Sequence, residues 1–258
     1  MKRYKLIIAY DGTDYNGWQQ QPGVPTVEGM LKKRFYTAFQ TPAKILGASR
    51  TDSGVHALGQ VASCTTELDI EPEKLRKAWN NVLPPSIVIR KLAAAPENFH
   101  PHKDVDYKIY YYHFFLQRPL PFVQRYGTYL WKTIDLKKLE KSLQVFVGTH
   151  DFRSFCTGDG MGDNTVRTIE SANIEYLDNF KAYRIAIKGP SFLRYMIRRI
   201  VGACFEVASK PDMQIEVLHK ALAAKDPRQL LPTAPAKGLL LYTIKYKGEI
   251  EDGEKFIF

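Results

Sequence analysis

Residues 3–10, RYKLIIAY, run directly into DGTDYNG, and this junction frames the rest of the chain. The apolar octet reads as a β-strand, and the Asp-, Gly- and Asn-rich stretch reads as the loop that ends it. A secretory leader beginning MKRYKLIIAY is the competing reading. It fails because the apolar stretch is short and an aspartate and a glycine follow at once. Thr26 then precedes Val27, Leu31, Phe35 and Phe39, which recur every four residues as on one helix face. Strands are expected at about 43–49 and 55–65. Glu71-Pro72 suits a helix start, with Leu75, Trp79 and Val82 on one side, and Pro84-Pro85 ends it. SIVIRKLA (86–93) is a further strand. The order β-α-β-β-α-β is that of a ferredoxin-like unit.

The second half repeats the pattern without repeating the residues. Tyr107–Leu116 reads as a strand, and Leu136, Leu139, Leu143 and Phe146 line a helix that Asp135 caps. TIESANIEYL and KAYRIAIKG form a hairpin around Asp178-Asn179. A helix is expected after Ser191, a shorter one at about 214–224, and a last strand at 238–246. The turn-rich stretch AAAPENFHPHKDVD divides two α/β domains, residues 1–105 and 106–258. Each is expected to be a ferredoxin-like or RRM-like unit, its sheet mixed or antiparallel with helices on one face, and the two sheets to line a basic cleft.

Net charge is +10, from 37 basic against 27 acidic residues, which favours a polyanionic partner. No run of apolar residues is long enough to span a membrane. Cys64, Cys156 and Cys204 are odd in number and far apart, so neither a disulfide framework nor a zinc site is supported, and a reducing cytoplasm fits. His100 and His102 form H-x-H and His56 stands alone; without further ligands at metal spacing no metal is expected. The glycine-rich TGDGMGDNT (157–165) has neither the P-loop lysine nor EF-hand spacing and reads as a surface loop.

Three stretches bear on chemistry. In ASRTDSGVHALGQV (48–61), extended backbone puts Arg50 and Asp52 on one face, their Cα atoms roughly 7 Å apart. An arginine there holds the carboxylate ionised or grips a phosphate beside it, though an isolated R-x-D is also an ordinary polar turn. In PSFLRYMIRRIVGACFEV (190–207), helical periodicity gathers Met196, Ile197, Ile200, Val201, Ala203 and Cys204 on one side. Arg194, Tyr195, Arg198, Arg199 and Gly202 fall on the other, a basic stripe that faces either solvent or RNA. In DYKIYYYHFF (106–115), Tyr110 and Tyr112 share a face, to pack in the core or to stack on an unpaired base.

Together these strings resemble the TruA family of tRNA pseudouridine synthases. RTDSGVHALGQV is similar to the family's block around its catalytic aspartate, and YDGTDYNGWQQQP (10–22) to its opening signature. NFH (98–100), TVRTI (165–169), RYMIRRIVG and TAPAKGLLL match smaller landmarks in the same order. The resemblance implies that Asp52 is the nucleophile and Arg50 a neighbour that displaces the base or binds phosphate. It makes Tyr110 the tyrosine against the target base, Arg198 the partner of the aspartate, and Leu239 an apolar contact to the uracil. Arg194 and Arg199, on the basic stripe, are expected to bind substrate. It further implies a cytoplasmic homodimer acting, without metal or organic cofactor, on uridines 38–40 of the tRNA anticodon stem-loop. FHPHKDVDY departs from the family's F-H-A-R-F-S-A pattern.

The chemistry breaks the N–C1′ bond of uridine and rejoins the base through C5. A carboxylate serves by attacking C1′, by attacking C6 of the base, or by removing a sugar proton, and the residues leave these open. The alternative from another class is a non-catalytic RNA-binding protein with paired RRM-like units. It explains the charge and the tyrosines but treats RTDSG as a plain turn.

Overall fold

The computed structural model describes residues 1–157 and 164–249; most of the 157–165 loop lies outside the described residues. Eleven strands and five helices follow one another along the described chain. The first half contains β1 (Lys2–Tyr10), α1 (Val27–Phe39), β2 (Lys44–Gly47), β3 (His56–Thr66), α2 (Pro72–Val82) and β4 (Ile87–Ala94). The second contains β5 (Val105–Phe115), β6 (Thr128–Tyr129), α3 (Leu136–Gln144), β7 (Gly148–Asp151), β8 (Val166–Ile169), β9 (Ser171–Leu177), β10 (Ala182–Gly189), α4 (Met196–Ser209), α5 (Glu216–Ala224) and β11 (Leu239–Tyr246).

Local chemistry sets the helix starts. The Thr26 hydroxyl accepts from the Gly29 N–H, the Glu71 carboxylate from Glu73 and Lys74, and the Asp135 carboxylate from Lys138. Each satisfies an N–H that the first turn leaves without a helical partner. Helix α4 differs from its expected start after Ser191. Ser191–Tyr195 is not helical, Tyr195 lies in the left-handed region at φ 64°, and the helix begins at Met196.

The strands form one nine-stranded mixed sheet, ordered β4-β1-β3-β11-β5-β10-β9, with β2 also on β3 and β6 on β5. Two separate sheets were expected, and the halves instead merge. They join where β11 runs parallel to the start of β3, Leu240 opposite His56 and Leu241 opposite Ala57, while its other edge pairs antiparallel with β5. A separate two-stranded sheet, β7-β8, was not foreseen.

Cross-strand register places Tyr10, Ala57, Leu241 and Tyr110 on one face. On this face the α4 residue Phe205 packs edge-on against Tyr112 and Phe114. In the first half, Phe35 of α1 meets Trp79 of α2 edge-on at 4.8 Å, and the Trp79 indole N–H donates to the Leu31 carbonyl. These rings and the alternate residues Tyr4, Leu6, Ile8 and Tyr10 of β1 belong to one continuous buried core. The opposite face carries a Tyr111–Tyr242 stack, with Arg184 over Tyr111 at 4.0 Å.

Candidate active site

The segment between β2 and β3 is bound down residue by residue. The Ala48 N–H donates to Val61, and the buried Lys108 ammonium donates to the Ala48 carbonyl at 2.8 Å. Ser49 is held by both ends of the Gln60 amide, and its hydroxyl pairs with the Tyr110 hydroxyl at 2.7 Å. The Thr51 hydroxyl meets the Tyr10 hydroxyl at 2.7 Å, and its carbonyl accepts from the Trp18 N–H. Asp52 opens a turn closed by the Val55 N–H, with Gly54 at φ 76°, a conformation that favours glycine. Gly17 packs against the Thr51 carbonyl, where a Cβ would collide. The strings 10–22 and 48–61 therefore interlock, the first serving as a brace for the second.

The second half delivers the counter-charge. Arg198, in the first turn of α4, donates from Nη1 to the Asp52 carboxylate at 3.1 Å and from Nε to the Ala234 carbonyl at 2.9 Å. The Ala234 N–H returns a bond to the Arg198 carbonyl. Gly202 lets Pro232–Ala234 lie close against the helix, so the gap foreseen on the stripe is filled by this chain's own backbone. The guanidinium groups of Arg194 and Arg198 sit 5.3 and 5.1 Å from the Tyr195 ring.

Asp52 and Arg198 have side chains only 12% and 14% exposed. Burial raises the Asp52 pKa above the usual carboxylate value; the Arg198 charge and hydrogen bond, and then the Arg194 charge, oppose it without cancelling it. Burial also pushes the Tyr110 hydroxyl up to about 12, so it stays neutral, and Phe192 packs edge-on against its ring at 5.4 Å. Leu239 is buried and pairs with Tyr112 on the Tyr110 face. Tyr112, the other candidate on that face, is tied to Thr128 and the Pro235 carbonyl, and Tyr107 lies under the Lys188 ammonium. Of the three, it is Tyr110 that is seen hydrogen-bonded to the Asp52 loop.

The sites expected from sequence thus separate into groups. Asp52, Arg198, Tyr110 and Arg194 converge, and Leu239 flanks them. Arg50 lies in irregular backbone, not a strand; it is exposed, and among the described residues no hydrogen bond or ion pair engages it. Arg199 is the correction. Its guanidinium turns inward and donates to the carbonyls of Ser154, Cys156 and Pro227, so it ties loops to α4 and does not face a substrate.

One cluster gave no sequence signal beyond the Asp-Gly turn. The Asp11 carboxylate accepts from the Thr13 N–H and hydroxyl, from Tyr126 and from Arg125, and lies 3.1 Å from the His56 ring. Burial works to raise its pKa, but the Thr13 bonds, His56 and Tyr126 together hold it low. This cluster lines a cavity of about 410 Å³ that includes His113, Leu240 and Phe122. His113 and Leu240 point to the face opposite Tyr110, so this cavity is not where the Asp52 carboxylate and the Arg198 guanidinium meet. Among the described residues no three His, Cys, Asp or Glu side chains are grouped to hold a metal ion, and no helix is long and apolar enough to cross a membrane.

A family model described as tRNA pseudouridine synthase matches residues 6–108 and 143–247. The tRNA pseudouridine synthase A of Pseudothermotoga lettingae is 36% identical over 247 residues, covering 95% of this chain and all of that protein. Those of Thermodesulfovibrio yellowstonii and Thermotoga maritima are 38% and 36% identical with the same coverage. The interlocked loop, the buried Asp52–Arg198 pair and a match spanning both halves lead to one assignment: the chain belongs to the tRNA pseudouridine synthase family.

Proposed function

We propose that this isomerase converts uridine to pseudouridine at positions 38–40 of the tRNA anticodon stem-loop, with Asp52 as its nucleophile. The observation that carries the reading is a carboxylate largely removed from water yet paired with a guanidinium from a helix in the other half of the chain. Each of the three routes begins from that ionised group. The N1–C1′ bond breaks with its electron pair on the base, the base turns in place, C5 bonds to C1′, the proton leaving C5 passes to water, and N1 takes up a proton from water. Tyr110 and Leu239 supply apolar surface against which the detached uracil is retained. The target base has to leave its stack, at a cost of a few kcal/mol. In this reading Arg50, exposed and unengaged, enters the vacated space or holds the adjoining phosphate, and Arg194 adds positive charge near Asp52.

Residues 1–105 and 106–258 act in this reading as two ferredoxin-like units. The strand orders support it, because β4-β1-β3-β2 and β11-β5-β10-β9 both run fourth, first, third, second. The surface between the units, under a net charge of +10, receives the RNA. We further take the working protein to be a cytoplasmic homodimer that needs no cofactor. The deciding experiment is Asp52→Asn with RNA carrying 5-tritiated uridine: tritium release stops while stem-loop binding persists. Turnover retained by that variant removes Asp52 from the reaction.

A further inference from the structure

The turn that departs from the family pattern, FHPHKDVDY, is built as a platform. Arg3 donates to the Phe99 carbonyl, Tyr246 donates to the Pro101 carbonyl at 2.7 Å, and the Lys247 N–H donates to Asp104, which sits at φ 57°. Pro101 is buried, and half-buried His100 and exposed His102 stand on either side of it, their rings 5.5 Å apart. The His102 N–H donates to His100 Nδ1 at 3.2 Å. That nitrogen is therefore the acceptor of this bond, which leaves the Nε2 edge of the ring to meet a ligand.

Two cationic side chains and a second imidazole act on His102. Lys108 approaches from β5, Arg50 from the β2–β3 loop and His100 from the same turn. Lys103 and Asp104, both exposed, follow it in sequence. His102 is exposed at the surface, yet partial desolvation of its ring first, then Lys108, the His100 ring and Arg50, lower its pKa, and only the Ala48 backbone favours the charged ring. Lys108 is itself buried, and the bond that it makes is to the Ala48 carbonyl, two residues before Arg50. Burial lowers its pKa to about 8, so it still carries positive charge at neutral pH. The rim beside Asp52 thus gathers cations around a place where negative charge is wanting.

We propose that Arg50, His100 and His102 form a binding subsite for one phosphodiester of the substrate RNA, at the rim of the Asp52 pocket, and that filling it draws a proton onto His102. The inference rests on the RNA-modifying reading above and deepens it. A phosphate reverses the balance at His102: repelled cations become ligands of a shared anion, and the charged ring gains a charge-assisted hydrogen bond. By linkage, affinity rises as pH falls from the His102 pKa in the complex toward its lower value in the free protein, and is level below that.

The test is binding of a fluorescein-labelled anticodon stem-loop RNA from pH 5.5 to 8.5 and from 50 to 300 mM salt. The unaltered protein is expected to bind about tenfold more tightly at the acid end, a charged hydrogen bond's worth. His102→Gln flattens that rise and makes the slope of log affinity against log salt shallower by about 0.7 to 0.9, the loss of one phosphate contact. His102→Arg restores the slope and binds without the pH dependence, which a merely structural histidine would not do. The proposal is overturned if His102→Gln keeps both dependences, or if His102→Arg, folded by its melting transition, fails to restore the slope. Absence of stem-loop binding by the unaltered protein would instead strike the RNA-modifying reading itself.

Discussion

Replacing Arg198 by methionine isolates what the buried ion pair does. The bond to Asp52 is 3.1 Å long between side chains that are 12% and 14% exposed. It therefore lies between a solvated pair, which contributes at most about 1 kcal/mol, and a fully buried one, whose rupture costs about 3–5 kcal/mol. A single charged hydrogen bond in this setting contributes about 2 kcal/mol, so turnover at neutral pH is expected to fall roughly thirtyfold. The pH profile carries the sharper information. Burial already raises the Asp52 pKa, and Arg198 is the largest influence against it. Without Arg198 that pKa climbs further, the ionised fraction at a given pH drops, and the acid limb of the rate profile moves to higher pH. Activity should then recover in part as the solution is made alkaline. Arg198→Lys keeps a charge but cannot grip Asp52 and the Ala234 carbonyl together, so it falls between. The assay is single-turnover tritium release from pH 5 to 9. A loss equal at every pH, with the acid limb unmoved, would refute the idea that Arg198 keeps the carboxylate ionised.

Two further arginines should part company. Arg50→Ala is expected to leave the melting temperature within the range of a surface change, about ±0.5 kcal/mol, while turnover collapses. Arg199→Met should do the reverse at low temperature, destabilising by about 2–4 kcal/mol because three carbonyls lose their donor; calorimetry beside the tritium assay distinguishes them. Asp52→Asn should melt higher than the unaltered protein at pH 7. The folded pKa is raised, so the stability that the protonated carboxyl contributes is present below its unfolded pKa and lost as pH rises through the folded one. The difference should vanish below about pH 4, and a lower melting temperature for the variant at pH 7 would contradict the balance of burial and charge described for this site.

What the sequence revealed follows the range of the forces involved. Helices α1, α2 and α3 begin where Thr26, Glu71 and Asp135 cap them, because capping acts within three residues. The start of α4 was misplaced because periodicity continues through Phe192 and Leu193, which pack against the core without being helical. Arg199 was misjudged because a helical wheel shows a residue's direction but not what covers it. Here the covering chain is residues 154–156 and Pro227, distant in sequence. The meeting of Asp52 with Arg198 came from resemblance, since no spacing rule links residues in different halves. Lys108 beneath Ala48 and Asp11 beside Tyr126 left no local trace, as each is defined by partners from another element.

Strand β11 is the last element of the described fold, yet it occupies the middle of the sheet, with β3 on one edge and β5 on the other. On the ribosome, β1 to β4 emerge long before it, so the early part of β3 must wait with a bare edge, a template for wrong partners. A nascent chain already owns Asp52, but it gains Arg198 late and Leu239 later still. On the proposed reading, the pocket therefore closes only once β11 has been made, and a polypeptide that stops short of that strand has nothing with which to trap a nucleotide.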